Sequence, residues 1–430
     1  MIRQKIGKKK PHRNRLKSTI ILNEYILEYY KALADAHRDG KLVASVSLGF
    51  PHEILYAFDI IPMYPQNYSA MYPTFGKTRE TLNKVENKGW FSDICSHHKL
   101  GFGALLYDLQ LKIGIPKPDI AISSTSPCKS MAKFGEEISK FLNIPYFLLD
   151  IPFAADSTFP SHHIQYVIDQ YKDMIAFLEK VTGKTLNYKR FQEIEKLSVQ
   201  ALRLWREITD LSATVPTPMD AFDAQVHMLP LMSLRGTTTA VEYSKILRNE
   251  LVDRVKKGIG AITAEKYRLL WEYMPIYSEM DFFSSFLAER GASVVTNTFF
   301  FPLLDKSASE RHITWNLPFF RKAYCHKIML RAQVKDFMGI YPNTSLRQRV
   351  QTIKNTLEKF SIDGILIHCN RTCRPQSLPQ YEMKNIIETE LGIPCLIIEG
   401  DSVDPRLFSK EQTVTRLEVF LERLRSRKVG

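Results

Sequence analysis

One unit in this chain occurs twice, and it constrains the fold more than any other feature. The first copy runs Pro118-Asp119-Ile120-Ala121-Ile122, then a loop holding Cys128, then a helical stretch. It closes with Asn143-Ile144-Pro145 and an apolar run ending at Asp150. The second runs Ile362-Asp363-Gly364-Ile365-Leu366-Ile367, then a loop holding Cys373, then a helical stretch. It closes with Gly392-Ile393-Pro394 and an apolar run reaching Asp401. Short apolar runs alternating with helical periodicity read as βαβ units, which pair their strands in parallel. Two copies far apart in the sequence therefore predict two α/β domains, each with a cysteine just past a strand. Ligands of open parallel sheets sit beyond the carboxyl ends of the strands, so both cysteines fall where chemistry is expected.

The rest of the chain divides around these copies. Residues 1–40 read as a basic arm and an amphipathic helix, with Leu22, Ile26, Tyr29 and Leu33 at steps of three and four. That helix suits docking to a partner or packing on its own domain. Residues 41–160 read as the first α/β domain. Residues 161–290 read as a mostly helical section, with periodic stretches at Gln165–Val181, Tyr188–Leu211 and Val241–Val255. Residues 291–430 read as the second α/β domain. The class is α/β, with a largely helical middle section and an N-terminal helix.

The net charge of +13 hints at nucleic acid, but its distribution argues otherwise. Residues 1–17 hold eight basic residues and no acid; residues 406–430 hold seven basic residues and three acids. The remaining body carries a net charge of about +1. Phosphate tracking needs a basic face, whereas two charged ends read as solvated tails. No nucleic-acid partner is expected. No stretch approaches ~18 consecutive apolar residues, so no membrane span is expected. No apolar segment follows the basic N-terminus, so the cytoplasm is the expected location. Thr182-Gly183-Lys184-Thr185 resembles the end of a phosphate-binding loop, but Leu178 stands where that loop needs glycine. It reads as a helix–helix turn, and the chain is not expected to bind ATP there.

Six cysteines in 430 residues are too few for a secreted disulfide scaffold. Cys95, in Asp93-Ile94-Cys95-Ser96-His97-His98-Lys99, occupies a third loop before a helix-like stretch. Helix N-termini stabilise thiolates. Three such loops meeting at one point would hold a metal or an iron–sulfur cluster. Zinc stays open, because Cys369 and Cys373 form a CxxxC pair and His97 and His98 neighbour Cys95. Cys325 and Cys395 read as packing residues, and Cys369 ranks fourth as a ligand.

Further motifs occur together. They are Gly49-Phe50-Pro51-His52-Glu53-Ile54-Leu55-Tyr56-Ala57, Cys95-Ser96 with Gly101, Ser126-Pro127-Cys128 and His368-Cys369-Asn370-Arg371-Thr372-Cys373-Arg374-Pro375. The ending Gly392-Ile393-Pro394-Cys395-Leu396-Ile397-Ile398-Glu399-Gly400-Asp401, followed by Thr415-Arg416-Leu417-Glu418, completes the set. In this order, over roughly residues 40–425, they resemble the 2-hydroxyacyl-CoA dehydratase/benzoyl-CoA reductase family. The Asn-Arg-Thr-Cys-Arg loop looks most similar to the larger, substrate-binding B-type subunit of ATP-dependent benzoyl-CoA reductase. The resemblance implies two Rossmann-like domains and a [4Fe–4S] cluster on Cys95, Cys128 and Cys373. It implies a related second subunit, an ATP-hydrolysing iron–sulfur activator and ferredoxin as upstream donor. The reaction it implies is reduction of benzoyl-CoA, or a close analogue, to a cyclic dienoyl-CoA. Dehydration of a 2-hydroxyacyl-CoA is the alternative. A noncatalytic scaffold, with structural zinc or no metal, is the reading from another class. Such chemistry needs a proton donor, for which His97, His98 and Glu53 are candidates by position. Lys99 and Arg374 are candidates for CoA phosphates.

Overall fold

The computed structural model describes residues 12–153, 155, 159–299 and 341–429. Cys325 and the first eleven residues of the basic arm lie outside them. Helix α1 (Thr19–Asp35) precedes the first lobe. That lobe includes β1 (Val43–Val46), α2 (Glu53–Ala57), β2 (Ile61–Met63), α3 (Ser96–Leu106), β3 (Ile120–Ser124), α4 (Lys129–Leu142) and β4 (Tyr146–Leu149), with three shorter helices between β2 and α3. The helical section contributes α5 (Ser161–Thr182), α6 (Tyr188–Leu211) and α7 (Thr238–Lys256). The second lobe holds β5 (Tyr267–Glu272), α8 (Met280–Glu289), β6 (Ala292–Asn297), α9 (Leu346–Phe360) and β7 (Gly364–Asn370). It continues with α10 (Arg374–Ser377), α11 (Gln380–Glu390), β8 (Cys395–Gly400) and α12 (Lys410–Val429).

Each lobe has one four-stranded sheet, in the orders β2-β1-β3-β4 and β6-β5-β7-β8, and every pairing is parallel. The two orders are the same, as the repeat requires. The chain direction across each sheet reverses between the central pair, β1/β3 in one and β5/β7 in the other. That switch point is where a crevice opens at the carboxyl ends of the strands. β1 and β3 are buried along their whole length, which fits strands covered on both faces by helices. α4 illustrates the covering. Its buried Met131, Phe134, Gly135 and Ile138 follow a three–four spacing, and Asn143 ends it in the left-handed region at φ 52°.

Three expectations change. The second lobe begins earlier than residue 291: β5, its central strand, lies inside the stretch read as helical. Its sequence, Tyr-Arg-Leu-Leu-Trp-Glu, has a continuous apolar run of only three residues, too short for its period to tell strand from helix. The C-terminal segment is not a solvated tail. It is α12, whose Leu417, Phe420, Leu421 and Leu424 are buried in the second lobe's core. The far end of the N-terminal arm is also pinned, by Arg13 to Asp220 and Asp223 at 2.9 Å each. As expected, Gly183 turns the chain at φ 68° between α5 and the next helix. Helix α1 packs on its own chain, burying Leu22, Tyr29, Tyr30 and Leu33. Among the described residues, no helix is long and apolar enough to cross a membrane.

Candidate functional site

Cys95, Cys128 and Cys373 stand at the N-caps of α3, α4 and α10. Cys128 follows β3 and Cys373 follows β7, so both lie at the switch points. Cys128 and Cys373 pack against one apolar cluster, which includes Leu48, Met131, Tyr273, Phe299 and Tyr341. The three thiols are close enough to act on one another. Burial pushes the Cys95 thiol up to about 12, and Cys128 adds to the rise. Burial also raises Cys373 strongly, and both Cys128 and Cys95 push it further. Each cysteine still keeps part of its surface exposed.

First-turn N–H groups oppose the rise: those of His98 and His97 at Cys95, of Met131 and Ser130 at Cys128, and of Gln376 at Cys373. They do not overcome it. Among the described residues, no group of three or more His, Cys, Asp or Glu side chains is arranged to hold a single metal ion.

Cys369 sits differently. Its packing partners belong to the second lobe's own core. After burial, its titration answers to Ser377, Glu399 and Arg371 rather than to the other thiols. Cys395 is buried core, as expected.

The loops of Cys95 and Cys373 are joined across the lobes by Asp401, the first residue after β8. The Asp401 carboxylate accepts hydrogen bonds from the Ser96 hydroxyl and, at 2.5 Å, from the Thr372 hydroxyl. Backbone N–H groups of Val403 and Asp404 donate to it at 3.0 and 2.9 Å. Burial alone would raise this carboxyl, but the donors outweigh it and hold it below the usual carboxylate range. The Ser96 N–H also donates to Thr372 Oγ1 at 3.2 Å.

The expected proton donors separate. His97 is buried, with Nδ1 2.6 Å from Ser69 Oγ and Nε2 without a hydrogen-bond partner. Burial pulls it down to about 4, so the ring is neutral at pH 7. His98 is stacked on Phe134 at 4.8 Å and pulled down to about 3, chiefly by burial; it is part of the core. Glu53 is fully buried, paired with Arg235 at 2.6 Å and accepting from Ser198 at 2.6 Å. Lys99 is fully buried and paired with Glu86 at 2.7 Å, so it is not available to a CoA phosphate. Arg374 is exposed beside Cys373.

Two neighbours escaped the sequence reading. Tyr273, just past β5, has φ 71°, a backbone conformation bulky residues rarely adopt. Burial, then Cys373 and Cys128, raise its phenol, which places it beside those thiols. Glu272 precedes it, fully buried, accepting from Gln380 Nε2 at 2.8 Å and Tyr341 OH at 3.3 Å. Burial raises its carboxyl to about 7 against the opposing charge of Arg349. No local pattern marked Tyr273: its left-handed backbone shows only in the fold, where it matches Gly49, also two positions before a proline.

Comparison with known proteins gives a consistent answer. The chain is 28% identical over 418 residues to the (R)-2-hydroxyisocaproyl-CoA dehydratase alpha subunit of Clostridioides difficile, covering 95% of this chain and 96% of that one. It is 25% identical to the lactoyl-CoA dehydratase alpha subunit of Anaerotignum propionicum, covering 92% and 95%. It is 28% identical to the B-type subunit of benzoyl-CoA reductase from Thauera aromatica, covering 96% of each. The family profile described as 2-hydroxyglutaryl-CoA dehydratase, D-component, matches residues 47–424, and the chain belongs to that family.

Proposed function

We propose that this chain is the iron–sulfur subunit of an enzyme that adds single electrons to a CoA thioester, with Cys95, Cys128 and Cys373 holding a [4Fe–4S] group. The mutual action of three thiols from two lobes carries the reading. Apart from helix N–H groups, the main influences on Cys373 are burial and the charges of Cys128, Cys95 and Asp401, all opposing ionisation. Three thiolates there need a multiply charged partner. Soft sulfur donors suit iron–sulfur chemistry. Cys369 lies against a different core from Cys373, which argues against a CxxxC zinc pair. When bound, such a group supplies low-potential electrons and an iron corner open to act as a Lewis acid.

The chain's own residues do the rest. Met131, Tyr273, Phe299 and Tyr341 form an apolar wall that keeps water from a reactive radical. Glu272 stores a proton near that wall at neutral pH. The subunit works in the cytoplasm with a related second subunit, an ATP-hydrolysing iron–sulfur activator and ferredoxin.

Dehydration of a 2-hydroxyacyl-CoA is the leading reaction, supported by the family profile and the dehydratase alpha subunits. Reduction of benzoyl-CoA, which the sequence motifs put first, is the second reading. The match to the benzoyl-CoA reductase chain, at the same 28% identity as the first dehydratase, favours it. Anaerobically purified complex should carry about four irons, with sulfide, per chain; zinc or no metal would return the chain to a scaffold. Electron accounting separates the two reactions. A dehydratase recycles its electron over many turnovers, whereas a reductase drains reduced ferredoxin with every product formed.

A further inference from the structure

The bond between a threonine before a cysteine and an aspartate after the neighbouring strand occurs in both lobes. In the first, Thr125 donates to Asp150 at 2.9 Å, three residues before Cys128. In the second, Thr372 donates to Asp401 at 2.5 Å, one residue before Cys373. The surroundings differ. Asp150 is half-buried and also accepts from the exposed Tyr166 of α5 at 3.1 Å, and no bond ties its carboxylate to the second lobe among the described residues. Asp401 is fully buried and also accepts from Ser96 of the other lobe. The sheet explains the difference. β7 and β8 have seven and six residues where β3 and β4 have five and four. The longer strands carry the second threonine–aspartate pair out to meet the N-terminus of α3.

We propose that Asp401 is a positioning residue: through Ser96 and Thr372 it fixes the separation of the Cys95 and Cys373 sulfurs across the lobe interface. The chain directions support this. Ser96 follows Cys95 directly and Thr372 precedes Cys373 directly, so each hydroxyl is one peptide unit from a thiol-bearing residue. Both hydroxyls meet one carboxylate, and the Ser96 N–H closes the ring on Thr372 Oγ1. The carboxylate is itself fixed by two backbone donors, so it has little freedom to follow a moving loop. Asn in place of Asp401 keeps the size but turns one acceptor into a donor, which the Thr372 hydroxyl proton opposes. The inference deepens the proposed cluster site and rests on it in part; the test has one arm that does not.

Thr372→Val, Thr372→Ser, Asp401→Asn and Asp150→Asn are compared with the parent full-length chain. In the first arm, each is loaded anaerobically with iron and sulfide, and loss of iron to a chelator is timed. Thr372→Val and Asp401→Asn are expected to lose iron about tenfold faster and to alter the electron paramagnetic signature of the reduced centre. Thr372→Ser should restore parental behaviour, and Asp150→Asn should have the smaller effect. In the second arm, metal-free chains are treated with a short bifunctional maleimide, and the Cys95–Cys373 cross-link is quantified by peptide mapping. Its yield should fall several-fold in Thr372→Val and Asp401→Asn while the melting temperature stays near the parent's. If Asp401→Asn fails to fold, Thr372→Val decides. Parental iron loss and parental cross-linking in Thr372→Val would overturn the proposal. If the parent chain takes up no iron, the cluster reading fails, and cross-linking alone decides the positioning role.

Discussion

A cysteine's surroundings, more than its spacing, separate the five described ones. Cys369 and Cys373 are four positions apart, yet they pack into different cores. Cys373→Ala should therefore lose bound iron, as should Cys95→Ala and Cys128→Ala, while Cys369→Ala and Cys395→Ala keep it. Iron and sulfide analysis of the purified variants checks this; iron retained in Cys373→Ala but lost in Cys369→Ala would reverse the assignment. Glu272 gives a second prediction at this scale. Its carboxyl is raised from 4.5 to about 7 in the folded chain. Between those values the native state holds a proton that the unfolded chain has released. Its contribution to stability is thus full below about pH 4.5 and is lost as pH rises through about 7. The shift corresponds to about 3 kcal/mol. Glu272→Gln should flatten this part of the pH–stability curve and make the chain more stable than the parent at pH 8. Urea unfolding across pH 5–8 measures it. The groups facing this carboxyl are Tyr341, Gln380, Arg349, Tyr273 and Cys369.

At the level of elements, the cysteine loops are only as precise as the helices behind them. α4 carries Cys128 at its N-cap and lies against β3 through Gly135. A Cβ there would stand 1.8 Å from Ser123 Oγ and 3.0 Å from Ser123 Cβ. Gly135→Ala should cost about 1–3 kcal/mol through overpacking and lower the urea midpoint. Adding Ser123→Gly should recover much of the loss, because the clash is with that side chain. The elements themselves were largely legible. Apolar periodicity found α6 at Tyr188–Leu211 with both ends correct, and the Ile-Pro repeats marked the starts of β4 and β8. β5 was missed because its apolar run, Leu269-Leu270-Trp271, is too short for its period to separate strand from helix. α12 was missed because its charges outnumber the four buried apolar residues that anchor it.

Across the whole molecule, two polar clusters among the described residues help to join the lobes beside the site. One is centred on Asp401. In the other, Arg406 of the second lobe pairs with Glu86 of the first at 2.7 Å, and Glu86 also holds the buried Lys99. Arg406→Met should leave Glu86 with Lys99 alone, costing roughly 1–3 kcal/mol. Hydrogen exchange should speed up in residues 92–98, next to Cys95, and stay unchanged in α5. The sequence by itself determined the class of fold and the two-lobed repeat, because strand and helix periods are local properties of the chain. It also singled out Cys128 and Cys373, each between a strand and a helix, and Cys95, just before a helix, because those are local patterns. Only the tertiary structure decided which charged groups serve the site. Lys99 and Glu53 are spent on buried ion pairs, and His98 on an aromatic stack, while Asp401 and Tyr273 stand by the thiols and Glu272 adjoins Tyr273. The reason is physical: the free energy of a buried charge depends on partners hundreds of residues away, and no local pattern in the chain encodes them.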